Sequence, residues 1–263
     1  MHKNARAMRF RAIVWGALSM SSAVLLCLGT ACESQPRKNA FDQGPDQMKP
    51  LPKSSAVPEP EGPPDFEIDS IGAKVGFERA MTETSEGLEK LKADLAKQKA
   101  YVDGKDVAVR VDRQAKRPWV VTYLSELFKA GAGTVKLKTD TREGYPTELV
   151  FLSQAEATSA PKCSTVGMIL DDRSTAVWKV SGGTASRRGK GMAGPDLSMT
   201  GETLERIGKQ CKESDLFFVS GAESVEWGLI YDLAASSQRL EKFKFERMVL
   251  LDQVPTPGHK IDL

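Results

Sequence analysis

Few residues in this 263-residue chain have the type and spacing that chemistry requires. Histidine occurs twice, at His2 and His259, each near a terminus. That count removes most hydrolase and metalloenzyme mechanisms, which use an imidazole as base or ligand. The run Gly183-Thr-Ala-Ser-Arg-Arg-Gly-Lys190-Gly191 has the look of a phosphate loop, but its glycine spacing is one residue too long. Gly191 also stands where a Ser or Thr must hold magnesium, so nucleotide binding is rejected. Arg187, Arg188 and Lys190 remain as candidates for contact with an anionic partner, set against the plainer reading of a solvated loop. Asp171 and Asp172 have the spacing of paired carboxylates, but a tight hairpin chooses Asp to bond its own backbone. No catalytic residue, metal-ligand set or cofactor site is read from the chain.

Cysteine chemistry is the sharper case. Cys27 and Cys32 belong to an apolar N-terminal run, which leaves Cys163 and Cys211 alone in the globular part. Two leftover cysteines in an exported protein commonly pair. Cys211 sits on an apolar stripe, Leu204, Ile207 and Cys211, that would aim its thiol at a sheet. The pair is either a disulfide or two buried thiols, depending on strand directions that spacing does not settle.

The elements that would hold these residues recur. Val107-Ala-Val-Arg-Val reads as a buried strand, and Pro118-Trp-Val-Val-Thr-Tyr opens a helix carrying Trp119 and Tyr123 on one face. Leu216-Phe-Phe-Val-Ser-Gly and Glu226-Trp-Gly-Leu-Ile-Tyr repeat the pattern with Trp227 and Tyr231, 108 positions on (119 to 227). The shared register implies an internal duplication. Thr84-Ser-Glu opens an earlier helix with the stripe Leu88, Leu91 and Leu95, matching Leu204, Ile207 and Cys211. Strands are expected at 134–138 and 148–152, a hairpin over 166–180, and a last strand within 243–251. The expected fold is α+β: two repeated units, each a small mixed β-sheet with two helices on one face. The units span 65–155 and 160–254, followed by a loose tail, 255–263. The aromatic pairs are expected to pack on the sheets.

The N-terminus supplies an address. Lys3, Arg6, Arg9 and Arg11 precede an apolar run from Ile13 to Ala31, the form of an export signal. Leu28-Gly-Thr-Ala-Cys32 resembles the lipobox of bacterial lipoproteins, with the leucine one place further upstream than usual. The resemblance implies a signal peptide over 1–31, cleaved to leave Cys32 as an N-terminus lipidated with acyl chains such as palmitate. The alternative is an uncleaved signal anchor. Either places the rest of the chain in the periplasm, and Glu33 favours the outer over the inner membrane. From residue 33 to 64 there are eight prolines in 32 residues, so 32–64 is read as a disordered tether. A net charge of +2 implies no pull toward nucleic acid.

The order hairpin, helix, strand, Trp/Tyr helix and closing strand from Val166 to Leu251 resembles the periplasmic domain of ExbD/TolR biopolymer-transport proteins, with 84–139 as a more degenerate copy. Those proteins are accessory subunits of proton-driven motors, with one membrane helix bearing an essential aspartate. Ile13 to Ala31 contains no acid, so the proton carrier has no counterpart. The resemblance therefore implies a fold and a style of partner binding without motor function. The expectation is a non-catalytic, lipid-anchored envelope protein that binds another envelope protein or peptidoglycan, as a dimer or an intramolecular pseudo-dimer. The alternative is a small-solute binder using the cleft between the units.

Overall fold

A computed structural model describes residues 62–263; the expected signal segment, Cys32 and most of the expected tether lie outside the described residues. The first half contains β1 (Phe66–Ile68), β2 (Ala73–Val75), β3 (Glu78–Ala80), α1 (Ser85–Lys97), the short α2 (Lys99–Val102), β4 (Asp106–Val111), α3 (Arg117–Lys129), β5 (Thr134–Lys138) and β6 (Glu148–Leu152). The second contains β7 (Thr165–Ile169), β8 (Thr175–Lys179), β9 (Ser186–Arg188), β10 (Lys190–Gly191), β11 (Gly194–Pro195), α4 (Leu197–Gly208), β12 (Leu216–Gly221), α5 (Trp227–Ser237) and β13 (Arg247–Leu250). Local chemistry explains the boundaries. The Thr84 hydroxyl accepts the Gly87 N–H at 3.0 Å and caps α1. Pro118 occupies the first turn of α3, where its missing N–H has no partner to lose.

The α+β class holds, but the expected pair of small sheets does not form. Eleven strands join one mixed sheet in the order β3-β2-β1-β4-β5-β6-β13-β12-β7-β8-β9. Read inward from either edge, the two halves have the same strand order, with β6 between them. β6 runs antiparallel to β5 and parallel to β13, pairing Phe151 with Met248 and Leu152 with Val249. That junction makes the sheet continuous. Its pairing spans almost a hundred residues of sequence and has no local signature.

Burial differs between the halves. β4 alternates exposed and buried residues, so one face carries Val107, Val109 and Val111 into the core and the other meets solvent. β7 and β12 are buried along their whole length, so both faces of that part of the sheet are covered. On one face Phe217 and Leu233 of α5 crowd Gly167. On the other, Trp178 donates its indole N–H to the His259 carbonyl at 2.9 Å. The segment after β13 is thus no loose tail: Ile261 N–H bonds Val180 O at 2.9 Å, and Ile261 is buried. Aromatic payload closes the core, with Trp227, Tyr231, Tyr123, Phe217 and Phe218 all but fully enclosed. Each such side chain contributes roughly 2–3 kcal/mol by leaving water.

Candidate functional site

Strand register aligns charges on the open face of the first half. Arg79 lies opposite Lys74, Lys74 opposite Glu67, Glu67 opposite Arg110, Arg110 opposite Lys138, and Lys138 opposite Glu148. Directly opposed residues share a face, so six charged side chains form one row across six strands, roughly 24 Å long. Most are matched within the row or beside it. Lys74 Nζ is 3.1 Å from Glu67 and 3.0 Å from Asp69, Arg79 is 2.6 Å from Asp69, and Lys138 is 3.4 Å from Glu148. The Arg79 guanidinium, helped by the Ile71 N–H, holds the Asp69 carboxyl well below the usual carboxylate range, against the opposing effect of burial. The same carboxylate, then Glu67, raises Lys74. Arg110, in the middle of the row, has no carboxylate partner among the described residues.

The row ends in a groove of about 620 Å³ at the carboxyl ends of the parallel strands β1, β4 and β5. Arg110 and Lys138 stand at one side of it, and Asp112 and Asp140 lie two residues further on, just past the ends of β4 and β5. Asp112 Oδ1 accepts the Gln114 N–H at 2.7 Å, which fixes the turn leaving β4. Arg113 follows and crosses to the second half. Its guanidinium donates to both oxygens of Asp232 on α5, at 2.9 and 2.8 Å, and to the Asp140 carbonyl at 2.7 Å. That carboxylate raises the Arg113 pKa. Backbone bonds from Trp227 N–H to Ala115 O and from Gly228 N–H to Arg113 O lock the same junction. Arg117 is buried beside it, donating from Nη2 to Leu251 O at 2.7 Å, and burial pushes its pKa down.

The residues singled out from sequence fall in separate places. Cys163 and Cys211 form a disulfide with Cα atoms 5.4 Å apart, joining the approach to β7 to the turn beyond α4. Cys211 is not on the helix, which ends at Gly208, so its alignment with Leu95 fails although its burial holds. The glycine-rich stretch is no open loop. Ser186–Arg188 is the edge strand β9, so Arg187 and Arg188 point to opposite faces. Arg187 reaches Asp172 at 4.0 Å, Arg188 donates to Thr203 Oγ1 at 3.4 Å, and exposed Lys190 lies on the separate two-stranded β10–β11 ribbon. The three cations do not converge. Asp172 accepts from the backbone and hydroxyl of Ser174, as a turn residue does.

Both aromatic pairs are packed inward. Trp119 and Trp227 donate to Glu83 and Thr139, each at 2.9 Å, while Tyr123 and Tyr231 donate to the Lys74 and Leu137 carbonyls. Burial raises both phenols above their ordinary range. Sequence reasoning passed over the charged row, although single charges at Glu67, Lys74, Arg110, Lys138 and Glu148 interrupt apolar alternation. Among the described residues no cluster of three or more His, Cys, Asp or Glu is arranged to hold a metal. No protein-family model, curated protein or solved structure matches the chain.

Proposed function

We propose that this chain is a non-catalytic, lipid-anchored protein of the cell envelope that docks another envelope protein or the cell wall, without proton-motor activity. The observation that carries the reading is the charged row on the open face of the first half-sheet. A sheet face built of six paired strands and studded with mixed charge gives register and orientation to a docked partner. Two further features support the setting. A disulfide between Cys163 and Cys211 suits an oxidising compartment outside the cytoplasm. The matched strand order of the halves agrees with a duplicated ExbD/TolR-like unit arranged as an intramolecular pseudo-dimer. Lipidation at Cys32 and an outer-membrane address rest on the N-terminal sequence alone. The small-solute alternative has less support, because where their loops meet the halves are tied together by the Arg113–Asp232 pair and by backbone bonds.

The test is site-specific photo-crosslinking in intact cells with a benzophenone side chain at Lys136, on the open face, and at Lys162 as a control. Discrete adducts from position 136 that disappear with Arg110→Glu, or co-sedimentation with purified peptidoglycan that depends on Arg110, support the reading. Adducts equal at both positions, together with no sedimentation, overturn it.

A further inference from the structure

The groove at the end of the charged row has a balance of charge that selects its ligand. Four carboxylates and three cations line it, and their commitments differ. Glu67 is matched by Lys74, Glu148 by Lys138, and Arg113 gives both terminal guanidinium nitrogens to Asp232. Arg110 has no carboxylate partner, and Asp112 and Asp140 have no cation within ion-pair distance among the described residues. All three of those side chains are exposed to the groove. A simple anion entering here meets the acids, and a simple cation meets Arg110 and Lys138. A molecule carrying both charges satisfies both sides at once.

Register sets the distance between those sides. Arg110 and Lys138 are directly paired, and Asp112 and Asp140 come two residues later in the chain, just beyond the ends of the same two strands. Two residues of strand are roughly 7 Å. An extended dipeptide spans about the same length between its ends. The groove also opens at the carboxyl ends of parallel strands, where open α/β sheets commonly bind ligands. We infer that the groove binds a small zwitterion of dipeptide size, with its carboxylate on Arg110 beside Lys138 and its ammonium on Asp112 and Asp140. The inference does not depend on the docking role proposed above, since it concerns a soluble molecule.

Titrating the full chain with glycylglycine and following backbone amide shifts by NMR tests it. Shifts confined to residues 110–114 and 138–140 are expected, with binding weakened about tenfold or more by Arg110→Gln and by Asp112→Asn. N-acetylglycylglycine and glycylglycinamide, each lacking one charge, are expected to bind at least about tenfold more weakly. Both variants replace exposed residues, so unchanged melting temperatures separate lost binding from lost folding. Binding of the N-acetyl compound as strong as that of glycylglycine overturns the inference, as does saturation unaffected by Arg110→Gln. An absence of shifts with glycylglycine at about 10 mM overturns it too. Loss of the photo-crosslinks with glycylglycine binding intact overturns only the docking role.

Discussion

Arg113 and Asp232 lie 119 residues apart in the chain and form a two-point ion pair, with Nη1 to Oδ1 at 2.9 Å and Nη2 to Oδ2 at 2.8 Å. The pair clamps the turn after β4 onto α5, so it couples the two halves where their loops meet. The Asp232 carboxylate is 1% exposed and the Arg113 side chain 34%. Removing one partner of a buried pair leaves the other uncompensated. Asp232→Ala is expected to lower stability by about 3 kcal/mol, since the half-exposed arginine can rehydrate. Arg113→Ala is expected to lower it by about 2 kcal/mol, because Arg142 Nε remains 3.4 Å from the carboxylate. Urea denaturation of both single variants and the double should yield a coupling of about 1–2 kcal/mol. Strict additivity would remove the clamp from the account.

Asp69 makes stability depend on pH in one direction. Arg79, the Ile71 N–H and Lys74 depress its pKa in the folded state, so the carboxylate is favoured by folding. Its contribution is present above the unfolded carboxyl value of about 4 and is lost as pH falls through the folded value. Asp69→Asn should destabilise the protein by about 1–2 kcal/mol near neutrality, and the difference should shrink steadily below about pH 4. Denaturation midpoints for both proteins across that range decide it. Parallel curves would show that the Arg79 contact contributes nothing specific.

The Cys163–Cys211 bridge closes a loop with a separation of 48 residues. A loop of that size restrains the unfolded chain by up to about 4 kcal/mol. Replacing both cysteines by serine should lower the thermal midpoint, with a loss of about 2–4 kcal/mol. Reductant should then have no further effect on the variant. If reductant shifts the variant as much as the parent, the bridge is not the source of the stability.

Gly87 sets two effects against each other. In the first turn of α1, alanine improves helix propensity by up to about 1 kcal/mol. A Cβ at this site would overlap the Met81 carbonyl, which is backbone and has no freedom to turn aside. Overpacking against a fixed group costs about 1–3 kcal/mol, so Gly87→Ala is expected to be net destabilising by about 1–2 kcal/mol. Circular-dichroism melts of the variant check the sign.

Much of the local structure was legible. Strand periodicity places β5 and β6 within their observed limits, and the turn residues Asp171 to Ser174 between two apolar runs place the β7–β8 hairpin. Capping at Thr84 and Pro118 marked two helix starts. What sequence did not carry was pairing at a distance. Nothing around Phe151 announces Met248 as its neighbour, so the local pattern implies two sheets where the fold has one. The stripe ending at Cys211 outruns its helix by about one turn, because the chain leaves the helix at Gly208 and still turns inward. The groove was hidden for a related reason. Arg110 and Lys138 are each unremarkable surface residues, and only register makes them neighbours.

The place where the N-terminal chain enters the sheet has a mechanical consequence. β1 is no edge strand; it is bonded antiparallel to β2 on one side and parallel to β4 on the other. A pull on the chain ahead of Phe66, directed along the strand, therefore strains two ladders of hydrogen bonds together. Such a load shears the bonds in parallel and does not peel them apart one at a time. The first strand to bear tension is gripped from both sides, so the fold resists force at the place where that chain enters the sheet.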